Sequence, residues 1–194
     1  MYWSEFTNQP CRIVRLTMVL GLILFYCSQH AMAIEFTQIA EEEGVDPYEL
    51  YAVLIVESGM DADGDKILAP HPFTIRYGKG VVKRLSTKAS LRKEVERASS
   101  LHPEWTIDVG WGQINRKWQS KYFEEDSPLN PYDPVDNLRI AARVLREAIA
   151  STPDKVLGLG RYNTWKDTGT ARWYGARVGY LAQILKERAE KKGI

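Results

Sequence analysis

The chain has 194 residues, 44% of them apolar, which is enough to bury the core of one domain of ordinary size. Its 26 Lys and Arg nearly balance 25 Asp and Glu, so no basic excess points to nucleic acid as a partner. The only cysteines, Cys11 and Cys27, both fall near the N-terminus, and the chain carries no repeat and no low-complexity run.

The first 33 residues read as an export signal. Arg12 and Arg15 precede the 12-residue apolar stretch Leu16 to Cys27, and Ala31-Met32-Ala33 supplies a small-residue cleavage site. An uncleaved membrane anchor is the alternative, but the stretch is short of the ~18 to 20 apolar residues that span a bilayer. Cleavage after Ala33 would remove both cysteines and, with Arg12, Arg15 and Glu5 gone from totals of 26 and 25, leave 24 basic against 24 acidic side chains. The expected product is an exported, periplasmic protein with no disulfide and no long-range charge steering.

Residues Ile34 to Glu43 fit a short first helix that ends at Gly44. Asp46 then suits an N-cap, Pro47 the first helical position and Glu49 the third, where it could close a capping box. In the helix that follows, Leu50, Val53, Leu54 and Glu57 recur at i, i+3, i+4 and i+7, which places Glu57 on the apolar stripe in the last turn before Ser58-Gly59. A carboxyl group on such a face loses hydration, so its pKa rises and it becomes able to act as a general acid near neutral pH. The competing reading is a solvated Glu at an ordinary helix end.

Asp61, Asp63 and Asp65 suggest a calcium loop, but Lys66 stands where an EF-hand needs Gly and Pro72 where it needs Glu, which favours a solvated turn. Phe73 to Tyr77 reads as a strand and Gly80-Val81-Val82 as the start of its hairpin partner. Ser86 or Thr87 then opens a helix with Leu91, Val95 and Ala98 on one face. His71 and His102 have no further ligand at zinc spacing, and nothing in the chain calls for a metal or cofactor. In Asp108 to Asn115, two glycines flank Trp111 and the amides Gln113 and Asn115 follow. Close backbone approach, a flat aromatic face and paired donors and acceptors are the parts of a sugar-binding cleft; a plain glycine turn before a helix is the alternative. Asp133 or Asp136 caps a helix with Leu138, Ala141, Ala142 and Leu145 inward, which reads as scaffold. Tyr162 and Asn163 follow a glycine-containing segment, and a last helix runs from Gly175 to Lys191, with Lys186 to Lys192 as a charged tail.

Four of these stretches, in this order, resemble the soluble lytic transglycosylase (SLT-type) domain of the goose-lysozyme-like superfamily. They are Glu57-Ser58 at a helix end, the G-x-x-Q-I-N of residues 110 to 115, the D-P-x-x-N of residues 133 to 137, and Tyr162-Asn163. The resemblance covers about Phe36 to Leu185. It implies a mainly α, lysozyme-like helical domain over residues 34 to 194, with a small β-ribbon insertion at roughly residues 69 to 100. It further implies that glycan strands of peptidoglycan are cut at the MurNAc–GlcNAc β-1,4 bond. Glu57 would be the sole acid/base, Ser58 and Tyr162 would orient it and the substrate, and Trp111, Gln113, Asn115 and Asn163 would hold sugar. A monomer without cofactor is expected, similar to small exported forms that accompany conjugation and secretion machines. A hydrolytic muramidase of the same fold, or an inactive peptidoglycan-binding assembly subunit, are the alternatives. The chain departs from the family pattern at Trp111-Gly112, where a bulky Leu-Met pair is usual, so Gly112 is expected to leave a space. Asp108 is the nearest extra carboxylate, and its reaching the cleft would open the way to hydrolysis.

Overall fold

The computed structural model describes residues 36–60 and 68–193, and the compact unit considered below begins at Gln38. The export signal, its cleavage site and the Asp61–Asp65 turn lie outside the described residues. Among those described, six α-helices and a small antiparallel sheet make the chain mainly α.

The helical half is built around α2 (Pro47–Ser58), which follows α1 (residues 36–42). Asp46 caps α2 by accepting from the backbone N–H groups of Tyr48 and Glu49. Glu49 does not close a capping box; its carboxylate pairs with Lys155 at 2.8 Å. The interior of α2 is buried on several sides, through Leu50, Ala52, Val53, Leu54 and Ile55, as befits a central helix rather than a surface one.

Around it pack α4 (Pro134–Ala150), α5 (Lys155–Arg161) and α6 (Thr168–Lys192). α4 starts at the Asp133 cap and buries Leu138, Ile140, Ala141, Ala142 and Leu145, which includes the whole expected stripe. α6 starts seven residues before the expected Gly175, capped by Asp167, and carries the Lys186 to Lys192 segment as helix. Its join to α5 is made by glycines. A Cβ on Gly160 would collide with the Ala171 carbonyl, and one on Gly175 with the Val156 carbonyl, so the two helix backbones lie in direct contact.

The β half holds β1 (Gly59–Met60) paired with β2 (Ala69–Pro70), and a four-stranded antiparallel sheet in the order β4-β3-β5-β6. Its strands are β3 (Thr74–Tyr77), β4 (Val81–Arg84), β5 (Asp108–Val109) and β6 (Ile114–Asn115). The expected ribbon is therefore not free-standing: β3 also pairs with β5, and the Asp108–Asn115 stretch is a hairpin rather than a turn into a helix. The register explains why. Ile75, Val109 and Ile114 are cross-strand neighbours and are 0%, 0% and 2% exposed, and the first two form a core with α3 (Lys88–Ser99) through Leu91, Val95 and Ala98. The next row across the sheet, Arg76–Asp108–Asn115, must then face the other way.

Candidate active site

Glu57 in the last turn of α2, the polar sheet row, the loop after α5 and the inner edge of α4 line one open cleft of about 700 Å³. Glu57 is partly buried, and Tyr174 of α6 donates to its Oε1 at 2.6 Å. Burial pushes the Glu57 carboxyl up to about 7; the Tyr174 hydrogen bond and the charges of Arg76 and Arg177 act against that, and the Asp108 charge adds to it. The Glu57 carboxyl is thus half protonated near neutral pH, where an unperturbed glutamate is ionised. Burial also holds the Tyr162 and Tyr174 phenols well above their usual range, reinforced by the Glu57 charge, so both stay neutral donors.

Asp108 lies in the same cleft. Burial raises its pKa, opposed by a 2.8 Å hydrogen bond from Asn115 Nδ2 and by the charge of Arg76. Arg76 Nη2 donates to the Glu57 backbone carbonyl at 3.3 Å, and Arg84 from the same hairpin to the Gly59 carbonyl at 3.2 Å. Together they supply the cations that the C-terminal turn of α2 lacks in its own sequence.

Of the residues singled out by sequence, Glu57, Gln113, Asn115, Tyr162 and Asn163 meet on the cleft. Ser58 does not: it is 1% exposed, and its hydroxyl donates to the Leu54 carbonyl one turn back. The contact to the Glu57 carboxyl comes from Tyr174 instead. Trp111 is not among the lining residues, and its Nε1–H is buried without a protein acceptor. Nor does Gly112 leave a space. A Cβ there would sit 2.6 Å from the Ala141 methyl and 2.8 Å from the Tyr162 hydroxyl, which donates to the Gly112 carbonyl at 2.7 Å. The bulk expected from a larger residue at 112 is thus supplied by Tyr162.

Gln113 takes a left-handed backbone, φ 46°, unusual for a residue with a side chain. Its Nε2 donates to the Gly110 carbonyl at 2.8 Å and the Thr74 carbonyl at 3.3 Å, while its buried Oε1 accepts from no protein group. Asn115 has both ends of its amide engaged: Nδ2 on Asp108 and the Trp105 carbonyl, Oδ1 on the N–H groups of Lys117 and Trp118. It therefore shapes the wall, whereas the exposed side chain of Asn163 stands at the rim.

Three kinds of residue escaped the sequence reading. The first is Asn137, the last residue of the D-P-x-x-N stretch, which is 1% exposed. It accepts from Gly112 N–H at 2.9 Å and donates to the carbonyls of Val109 and Pro131, pinning the β5–β6 turn to α4. The second is the rim itself. Trp105, Trp118 and Trp165 are 56%, 63% and 61% exposed and all line the cleft, with Lys117 over Trp118 and Arg161 over Trp165. Exposed aromatic faces around a polar cleft are suited to stacking on the flat faces of sugars. Tryptophans spread over 60 residues gave no local pattern. The third is Glu147, which α4 turns to the same cleft.

Chemically, the site offers a proton donor poised near pH 7, two further carboxyl groups, Asp108 and Glu147, and an arginine beside Glu57 and Asp108. Among the described residues no group of three or more His, Cys, Asp or Glu comes together as a set of metal ligands. No family model, no curated protein and no solved structure matches the chain.

Proposed function

We propose that the chain is an enzyme that cuts peptidoglycan glycan strands at the MurNAc–GlcNAc β-1,4 bond, with Glu57 as its general acid. The observation that carries this reading is the partly buried Glu57 carboxyl group, pushed up to about 7, in a cleft lined by exposed tryptophans. Protonated Glu57 gives its proton to the leaving O4 as the bond to C1 breaks. The resulting carboxylate then takes the proton of the MurNAc C6 hydroxyl, and O6 bonds to C1. The product is a 1,6-anhydro sugar, formed without water, and Glu57 ends as it began. The hydrogen bond from Tyr174 holds the carboxyl in place.

A second reading is favoured by one observation: Asp108 lines the same cleft. A second carboxylate there is what a water-activating base requires, and the product would then be a reducing sugar. Mass spectrometry of muropeptides released by the purified chain decides both points. Anhydro ends support the lyase, reducing ends the hydrolase, and no release at all overturns the proposed function. Glu57→Gln should abolish release in either case. We further propose that the chain has a lysozyme-like fold and is exported to the periplasm as a monomeric, wall-opening enzyme of the kind that serves conjugation or secretion machines.

A further inference from the structure

Arg76 occupies a singular place in the cleft. It is the direct cross-strand neighbour of Asp108, and its guanidinium also reaches the residue that carries the acid. The two contacts differ in kind. Toward Glu57 it binds the backbone carbonyl, not the carboxyl. Toward Asp108 it is placed side by side on paired strands, on the face that lines the cleft, the spacing at which opposite charges on a sheet interact. Asn115, the strand neighbour on the other side, directs an amide N–H onto Asp108 Oδ1 at 2.8 Å. Burial raises the Asp108 pKa, and both neighbours act against it by stabilising the ionised form. Glu57, by contrast, sits at the end of an apolar helix with a neutral phenol on its carboxyl.

We propose that Arg76 is the positioning residue that keeps Asp108 ionised while Glu57 holds its proton, so that the cleft contains an acid and an anion at the same pH. This rests on the reading of Glu57 as general acid and extends it. An anion fixed beside a proton donor stabilises a sugar ring gaining positive charge at C1, whether water or O6 completes the reaction. Other titratable or charged groups also face the pair, Lys166 of the loop after α5 among them. Arg177 and Tyr174 of α6 and Tyr162 after α5 act on Glu57 or are acted on by it, Asn115 acts on Asp108, and Glu147 of α4 lines the same cleft. Removing the arginine charge makes both carboxylates harder to form, and more so for the one beside it.

The test is a carboxyl carbon NMR titration of Glu57 and Asp108 in the whole chain, made in wild type, Arg76→Gln, Arg76→Lys, Arg84→Gln and Asp108→Asn. In R76Q both titrations should move to higher pH, Asp108 further than Glu57, and R76K should return most of that shift. R84Q removes the neighbouring carbonyl contact at Gly59 and should leave both titrations in place. D108N reports on the same point without touching the arginine: if Asp108 is ionised while Glu57 titrates, removing its charge lowers the Glu57 midpoint. An Asp108 titration unmoved in R76Q, an equal shift in R84Q, or a Glu57 midpoint unmoved in D108N overturns the proposal. These readouts do not depend on turnover. A wild-type chain that releases no muropeptide would refute the proposed function while the titrations still judge Arg76.

Discussion

Replacing Tyr174 with Phe removes one hydrogen-bond donor, 2.6 Å from Glu57 Oε1, and leaves the packing of the ring in place. The phenol binds both protonation states of the carboxyl, but not equally. A hydrogen bond to a charged group contributes ~1.5–3 kcal/mol and a neutral one ~1 kcal/mol, a difference on the order of 1–1.5 kcal/mol. At about 1.4 kcal/mol per pH unit, the Y174F substitution should raise the Glu57 midpoint by about one unit from its value of about 7. The acid would then stay protonated to higher pH, so the alkaline limb of the pH–rate profile moves up by about one unit. Peak turnover falls, because the carboxyl loses the contact that aims it. The assay is the initial rate of muropeptide release at a series of pH values, alongside the carboxyl titration of Glu57. An alkaline limb that stays in place or moves down would refute the role assigned to the Tyr174–Glu57 bond.

The raised midpoint of Glu57 also has a cost to stability. Its folded pKa of about 7 exceeds the ordinary value of 4.5, so the folded state binds more protons than the unfolded state between those pH values, and stability falls as pH rises through that window. The loss amounts to at most about 3 kcal/mol. Glu57→Gln should therefore raise the melting temperature at pH 8 relative to wild type and change it little at pH 4. Asn137→Ala removes three buried hydrogen bonds at once and should destabilise the chain by roughly 3 kcal/mol or more in denaturant melts, because it strands the Gly112 N–H and two carbonyls. Trp118→Ala and Trp165→Ala should leave stability within about 0.5 kcal/mol of wild type. Each should weaken binding of glycan oligomers by about 0.5–1.5 kcal/mol, read by isothermal titration on a Glu57→Gln background.

The chain's caps and apolar stripes foretell much of this architecture. Asp46, Thr87 and Asp133 each precede a helix whose inward residues recur at helical spacing, and all three cap in the structure. The start of α6 is hidden by composition. Gly169, Gly175 and Gly179 lower helix propensity, but packing overrides it, because at Gly175 only a residue without a side chain lets the helix lie against the Val156 carbonyl. Glu57 stands out because it interrupts an apolar run. Its partner Tyr174 does not, being 117 residues away and one aromatic among many. Ser58 misled for the opposite reason: adjacency in sequence turned its side chain back into its own helix, onto the Leu54 carbonyl. Asp108 was visible as a carboxylate, but only the strand register shows that it shares a wall with Arg76.

That register also guards the site against silent error. Side chains alternate along a strand, so sliding β5 by one residue past β3 would send Val109 outward and Asp108 into the core, together exposing apolar surface and burying a charge. A chain folded out of register would be conspicuous to any quality-control system that recognises exposed apolar surface. The population that survives is then the one in which Arg76, Asp108 and Asn115 face the cleft. In this molecule the inspection of the core and the inspection of the site are the same event.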